Sequence, residues 1–199
     1  LVHEDVYDEF LVKFRKKAAA LRIGNPASED TEMGPLCNAA TLARVKEHVR
    51  DAAAKGAKIE QFGKEEGLYF PATILTDVTT DMLIAQQETF GPVAPIIKIK
   101  NAEQAIEIAH QSGLGLIASL WTQDLATAWR VGEALPHGTV NVNETSNYWD
   151  QLAPFGGTGQ SGVGRELSQW FLETFTERKL LVFDLGGEKS YNRRAEGGW

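Results

Sequence analysis

The sequence has few of the residues that disulfides, metal sites and membrane spans require. It contains one cysteine, Cys37, so no internal disulfide can form, and we expect a reducing compartment, the cytoplasm. Its four histidines are scattered and show no metal-ligand spacing. No apolar run approaches the roughly 20 residues of a membrane-spanning helix. The net charge of −7 argues against nucleic acid or an anionic membrane as a partner.

The composition is that of a globular protein, and the opening of the chain is unusual. A length of 199 residues with 43% hydrophobic residues is enough for a sizeable core. The first residues, "LVHEDVYDEF", lack a methionine and begin on an apolar pair typical of the end of a strand. We therefore expect further chain upstream.

The first half of the chain shows helical periodicity. "EDVYDEFLVKFRKKAAAL" is predicted as an amphipathic helix with Asp5 as its N-cap candidate. The residues expected on one face of this helix are Val6, Phe10, Phe14 and Leu21. "NAATLARVKEHVRDAAAKGAKIEQF" is predicted as a helix that stops at Gly56 and continues as a strand.

The second half indicates the fold class. "VAPIIKIK", "GLIASLWT" and "GTVNVN" are predicted strands, separated by helices that begin after Asn101 and around Asp124. Strands that alternate with helices through tight connections favour parallel pairing, hence an α/β sheet covered by helices. "RELSQWFLETFTERK" is then predicted as a helix and "KLLVFDL" as a last strand. The side chains that this helix is expected to bury are Leu167, Trp170, Phe171 and Phe175.

The stretch "PFGGTGQSGVGRE" contains G-x-G-x-x-G, which is typical of a dinucleotide pyrophosphate site. Such a site needs its first glycine directly after a strand, but thirteen residues, including Pro154, separate Asn143 from Gly157. There is no G-K-[ST] for a P-loop either. The pattern alone therefore favours a structural turn over a phosphate site, without deciding between them.

Several motifs in order resemble the aldehyde dehydrogenase superfamily. "PFGGTGQSGVGRE" is similar to the "PFGG-x-x-x-SG-x-GRE" signature, and "QQETFGPVAPI" to "E-E-x-F-G-P-V". "GLGLIASLWTQD", "GTVNVN" and "MGPLCNAATLARVKEHVRDAAAKGAKI" resemble further family segments. The resemblance implies the catalytic-domain fold, a parallel sheet with helices on both faces. It also implies that the glycine loop shapes the substrate tunnel rather than holding phosphates.

The resemblance implies functional residues at matching positions. Glu88 would bind the nicotinamide ribose hydroxyls of NAD or NADP, and Phe90 would pack beside the nicotinamide. Trp149 and Phe155 would line the substrate tunnel. Asn147 lies in "ETSNYWDQ", which becomes the substrate-selecting loop. Its residues indicate either a sizeable or aromatic substrate or a polar semialdehyde held by loop amides. We expect no metal.

The chain departs from the family in what it lacks. The "GQ-x-C" turn of the nucleophile is absent, and Cys37 in "GPLCNAA" is expected to be non-catalytic. The general-base glutamate and the dinucleotide domain are missing too. The chain is therefore interpreted as the C-terminal part of an NAD(P)-dependent aldehyde dehydrogenase, an enzyme with an aldehyde substrate. The chain on its own is expected to be inactive. The alternative is an inactive module that acts in subunit assembly.

The resemblance also divides the chain. Residues 1–176 would be part of the catalytic domain, and 177–186 a strand that joins like subunits into a homodimer or homotetramer. Residues 187–199 hold little to bury and are expected to form a flexible tail.

Overall fold

The computed structural model describes residues 1–148 and 150–183. Its helices are α1 (Glu4–Ala20), α2 (Ala39–Ala54), α3 (Leu83–Gln86), α4 (Ala102–Gln111), α5 (Leu125–Ala134) and α6 (Ser168–Thr174). Its strands are β1 (Val2–His3), β2 (Lys58–Phe62), β3 (Ala72–Thr76), β4 (Val93–Pro95), β5 (Lys98–Ile99), β6 (Leu114–Gly115), β7 (Ile117–Leu120), β8 (Thr139–Val142) and β9 (Thr158–Gly159). Among the described residues, no helix has the length and apolar character that a membrane crossing requires.

The strands pair mostly in parallel, as predicted for an α/β fold. The parallel pairs are β1 with β5, β3 with β4, and β7 with β8. Two pairs are antiparallel, β2 with β3 and β6 with β9. The strand–helix–strand unit β7–α5–β8 is confirmed, with Ile117 opposite Thr139 and Leu120 opposite Val142. Val2 of the apolar opening pair lies in a short strand, β1, and Leu1 precedes it.

The run "VAPIIKIK" is not the single strand that the sequence predicted. It divides into β4 and β5 because its pairing partner changes along its length. Ile96 still donates its backbone N–H to Leu75 O at 2.8 Å, whereas Ile97 O accepts from the N–H of Val2 at 2.9 Å. Pro95, which has no N–H to donate, lies at the break.

The core lies on both faces of β3, whose five residues are all buried. Successive strand residues point to opposite faces, so Ile74 and Leu75 belong to different clusters. Ile74 packs in a cluster with Tyr7 and Leu11 of α1, whereas Leu75 packs in a cluster with Ala52 of α2. Helices therefore cover both faces of this sheet, as the predicted fold class requires.

Helix α1 is amphipathic, but its buried face differs from the predicted one. Tyr7, Leu11 and Ala18 are buried, whereas Val6 is 53% exposed and Phe10 37% exposed. Val6 and Phe10 line an apolar cavity of about 520 Å³ with Trp121 and Ile99. The helix carries two adjacent apolar stripes, and only the tertiary packing decides which of them is buried.

The N-cap of α1 is also different from the prediction. His3 Nδ1 accepts the backbone N–H of Asp5 at 3.3 Å, so His3 and not Asp5 is the cap. The helix expected after Asn101 is capped by that residue, and the helix expected around Asp124 is capped by Asp124, a cap not predicted from the sequence. Asn101 accepts from Gln104 N, and Asp124 accepts from Thr127 N, both at 2.9 Å.

The C-terminal segment packs less than predicted. Helix α6 is shorter than expected, and Trp170, Phe171 and Phe175 are 52%, 40% and 75% exposed. All three side chains are exposed, so the prediction that they are buried is wrong. Residues 177–183 form no strand, and 184–186 lie outside the described residues, as does the predicted tail 187–199.

Replacement of Leu75 by alanine is expected to lower the free energy of unfolding by about 2–5 kcal/mol. Leu75 is fully buried in the central strand, so its loss leaves a cavity that β3 cannot close. Urea unfolding followed by circular dichroism measures the effect. The control is Leu125→Ala, whose side chain is 78% exposed and should change stability by less than about 0.5 kcal/mol. Equal losses in both variants would contradict the placement of the core.

Candidate functional site

The segment that holds Glu88 and Phe90 connects α3 to β4. Glu88 is exposed, and Phe90 is 67% exposed with its backbone in the left-handed region at φ 57°. That conformation costs a non-glycine residue roughly 1–2 kcal/mol. Thr89 between them is partly buried, and its Oγ1 lies 3.0 Å from Nδ1 of the buried His48. The side chains of the two predicted cofactor residues are therefore exposed to solvent, whereas Thr89 between them contacts the buried His48 of α2.

Gly91 and Pro92 form the bend after this segment. A Cβ at Gly91 would lie 2.4 Å from Val45 Cγ2 of α2, so only glycine fits against this helix. Pro92 O accepts the backbone N–H of Thr73 at 2.9 Å, which joins the turn to β3.

The glycine loop uses its glycines for packing. Gly159 pairs with Leu114 in the β6–β9 ladder at φ 57°. A Cβ at Gly157 would lie 2.6 Å from Ser161 O. The N–H groups of Gln160 and Ser161 donate to Gly113 O and Thr158 O. These amides are thus engaged within the fold, which favours the structural turn over a phosphate cradle.

The two ends of the glycine loop are tied together. Phe155 and Glu166 exchange backbone hydrogen bonds of 2.9 and 2.6 Å. The Arg165 guanidinium donates to Gly157 O at 2.9 Å and to Gly164 O at 2.7 Å. Phe155 is therefore held at a fixed position at the base of the loop.

Phe155 lines two cavities. One, of about 400 Å³, also includes Leu116, Arg165 and Phe171. The other, of about 90 Å³, includes Asn141 and Tyr148. A partly buried aromatic ring at the wall of a cavity is suited to contact an apolar part of a substrate. Trp149, the second predicted tunnel residue, lies outside the described residues.

The predicted substrate-selecting loop is organised by a residue that sequence reasoning missed. Asn141 Nδ2 donates to Thr145 O at 2.7 Å and to Tyr148 O at 3.2 Å. Asn147 is exposed, and its backbone N–H donates to Thr145 Oγ1 at 2.9 Å. The position of Asn141 on β8, just before the loop, was the available signal.

The predicted cofactor residues and the predicted tunnel residue Phe155 line different parts of the described surface. Glu88 and Phe90 lie next to α2, and neither of them lines either cavity that Phe155 lines. Both cavities are built from residues 116–174. The contribution of Glu88 and Phe90 to a cofactor site stays a prediction. Among the described residues, no group of His, Cys, Asp and Glu could hold a metal ion.

His137 lies between α5 and β8, next to the glycine loop. Burial, and secondarily the nearby His110, hold its pKa below the ordinary value of 6.5. Its Nδ1 has no hydrogen-bond partner among the described residues, whereas His110 Nε2 donates to Ala134 O at 2.9 Å. The fold therefore favours the neutral form of His137.

Acidification is expected to destabilise the protein through His137. Because the unfolded chain binds a proton at this position more readily, stability present above about pH 6.5 declines as the pH falls toward the lower folded-state pKa. His137→Gln removes this dependence. Urea midpoints of both proteins at about pH 7.5 and about pH 5.5 test it, since the wild type should lose more. Parallel losses in the two proteins would contradict it.

Comparison with known proteins gives the family. The aldehyde dehydrogenase family model matches residues 1–181. The chain belongs to the aldehyde dehydrogenase family. It is 40% identical over 188 residues to the succinate semialdehyde dehydrogenase of Acinetobacter baylyi, covering 92% of this chain and 38% of the relative. It is also 40% identical over 185 residues to the glutarate-semialdehyde dehydrogenase of Pseudomonas putida, again covering 92% and 38%.

Solved aldehyde dehydrogenase structures have the same fold. The succinate-semialdehyde dehydrogenase of Burkholderia pseudomallei matches with a TM-score of 0.83 at 40% identity, over 87% of this chain and 36% of that one. A betaine aldehyde dehydrogenase of Staphylococcus aureus, in complex with NAD+ and with a modified cysteine, matches with a TM-score of 0.81 at 32% identity, over 87% and 37%. The chain thus spans little more than a third of its aldehyde dehydrogenase relatives.

Proposed function

We propose that this chain is the C-terminal part of an NAD(P)-dependent aldehyde dehydrogenase that oxidises an aldehyde to a carboxylate. The observation that carries the proposal is the family match over residues 1–181, in a chain that spans 38% of the length of the Acinetobacter relative. Glu88 and Phe90 would contribute to the cofactor site, and Phe155, Trp149 and Asn147 to the substrate site.

The residues of the Glu88 segment are suited to a nicotinamide cofactor. An exposed carboxylate can accept hydrogen bonds from both hydroxyls of a ribose, and an exposed ring can lie beside the nicotinamide. The bound cofactor would supply the hydride acceptor. Glu88 would orient the ribose, and Phe90 would limit the movement of the nicotinamide ring.

In the proposed reaction a cysteine thiolate from outside this chain would attack the aldehyde carbonyl to give a thiohemiacetal. Loss of a hydride from that carbon to the bound nicotinamide cofactor would leave a thioester, which water would hydrolyse to the carboxylate and the free thiol. Cys37 has no part in this reaction. Cys37 lies just before α2, and its Sγ is 3.1 Å from Oγ1 of Thr41 in that helix. Cys37 lines neither of the cavities that Phe155 lines. Without a nucleophile and a general base, the isolated chain would be inactive.

The names of the relatives favour a semialdehyde substrate. The relatives of 40% identity described above are succinate and glutarate semialdehyde dehydrogenases, whereas the betaine aldehyde dehydrogenase is 32% identical. A short aldehyde with a carboxylate at its other end needs hydrogen-bond donors at the distal end of its site. The loop of Asn147 and Tyr148, ordered by Asn141, would provide polar groups there.

Association with like subunits is a compatible second role. Leu180, Leu181, Val182 and Phe183 are consecutive and 62–85% exposed. Extended apolar residues of this kind are suited to add a strand to a neighbouring sheet. A cytoplasmic location stays a prediction, since relatives of this chain include mitochondrial enzymes.

A fusion enzyme tests the proposed function. It joins this chain to the part of the Acinetobacter enzyme that the chain does not match. The isolated chain should not oxidise succinate semialdehyde, whereas the fusion enzyme should, with reduction of NAD or NADP. Cys37→Ser should leave the fusion enzyme within about twofold of its activity, because this thiol is not the nucleophile. Robust oxidation by the isolated chain, or loss of activity with Cys37→Ser, would contradict the proposal.

A further inference from the structure

We propose that His48 is a positioning residue that sets the orientation of Glu88 and Phe90 through its hydrogen bond to Thr89. This inference rests on the proposed function, in which Glu88 and Phe90 face the cofactor. His48 itself is 1% exposed, so it reaches the cofactor only through the segment that it holds.

The side chains of the segment alternate in direction. Glu88 and Phe90 are exposed, whereas Thr89 between them is partly buried against α2. Thr89 Oγ1 lies 3.0 Å from His48 Nδ1, a distance typical of a hydrogen bond. With Thr89 held inward, the pair on either side of it must point outward.

A second side chain of α2, that of Arg44, contacts the backbone of Thr89. Arg44 Nε donates to Thr89 O at 3.3 Å, and Arg44 is one helical turn before His48. Val45, on the same side of α2, fits against Gly91 so closely that a Cβ there would lie 2.4 Å away. One face of α2 thus fixes residues 89 and 91.

Phe90 lies between these two fixed points in the left-handed conformation, at φ 57°. A bulky residue keeps such a conformation only when its surroundings determine it, and such residues cluster at ligand sites. The segment is anchored at its ends too, through Gln87 N to Leu83 O at 2.8 Å and Thr73 N to Pro92 O at 2.9 Å. The Thr89 side-chain bond is the contact that determines which way residues 88–90 turn.

Hydrogen exchange of the 199-residue chain tests the anchor itself. Thr89→Val removes the hydroxyl at nearly constant volume and should speed exchange of the Gln87 and Val93 amides about two- to tenfold. Thr89→Ser keeps the hydroxyl and should restore slow exchange. The matched control is Thr41→Val, another threonine of low exposure, whose hydroxyl contacts Cys37 instead. Unchanged exchange with Thr89→Val would overturn the inference.

Kinetics of the fusion enzyme test the positioning role of His48 and Thr89. Thr89→Val and His48→Leu should each raise the KM for the nicotinamide cofactor about two- to tenfold, and the double variant no more than either one. The KM for succinate semialdehyde should stay within about twofold, and Thr41→Val should change neither KM. Faster exchange with an unchanged cofactor KM would overturn the positioning role. An inactive but folded wild-type fusion enzyme would instead overturn the proposed function.

Discussion

Replacement of Gly138 by alanine is expected to lower the free energy of unfolding by about 3 kcal/mol or more. A Cβ at this position would lie 1.8 Å from the carbonyl oxygen of Gly156, a backbone atom that no side-chain rotation can move. Gly138 N donates to Gly115 O at 3.0 Å immediately before β8, so the turn cannot shift without loss of this contact. Gly156 in turn adjoins Phe155, which is paired with Glu166. The clash would therefore displace the glycine loop and the cavity wall together.

Gly132→Ala is the matched control for this prediction. Gly132 lies six residues earlier, in α5, and a Cβ there meets no atom within 4 Å. Alanine in a helix interior is more favourable than glycine by about 1 kcal/mol, so this variant should be as stable as the wild type or more so. Urea unfolding of both variants gives the comparison. A Gly138→Ala protein with the stability of Gly132→Ala would show that the glycine loop does not approach β8.

The local parts of the fold could be predicted from the sequence. The cap at Asn101 depends on a side chain that reaches the backbone three residues later. The β7–α5–β8 unit follows from short apolar strands around a helix with tight connections. In each case the residues that determine the structure are close together in the chain.

The non-local parts could not be predicted in this way. Whether α1 buries Val6 or Tyr7 depends on which stripe meets β3, more than 60 residues later. The approach of Gly138 to Gly156 depends on how two turns dock. Trp170 and Phe171 of α6 satisfy a helical pattern, yet they are 52% and 40% exposed.

The candidate site also has parts that the sequence indicates and parts that it does not. Glu88 and Phe90 are exposed, and their ligand-facing role, which only the family resemblance indicated, stays a prediction. The pairing of Thr89 with His48 joins residues 41 positions apart, and no motif marks it. Composition and spacing predict the structure of single segments. A hydrogen bond between two distant segments can be identified only from the packed structure.

Glu88→Gln is expected to weaken the proposed cofactor site more than any other exposed substitution in this chain. A carboxylate offers two acceptor oxygens to the paired ribose hydroxyls, whereas an amide offers one acceptor and places donors where a second acceptor is needed. Hydrogen bonds to charged groups contribute about 1.5–3 kcal/mol, so the cofactor kcat/KM of the fusion enzyme should fall about tenfold to a hundredfold. The free energy of unfolding should not change, since Glu88 is exposed.

The neighbouring Gln87→Ala separates this effect from a general disturbance of the segment. Gln87 is also exposed, and its described hydrogen bond to Leu83 is made by the backbone, which alanine retains. The cofactor kcat/KM of this variant should stay within about twofold of the wild type, because no charge is removed. If Glu88→Gln is equally mild, the carboxylate does not contact the ribose. The outward direction of Glu88 would then serve solvation alone, and the anchored segment would present only Phe90 to the cofactor.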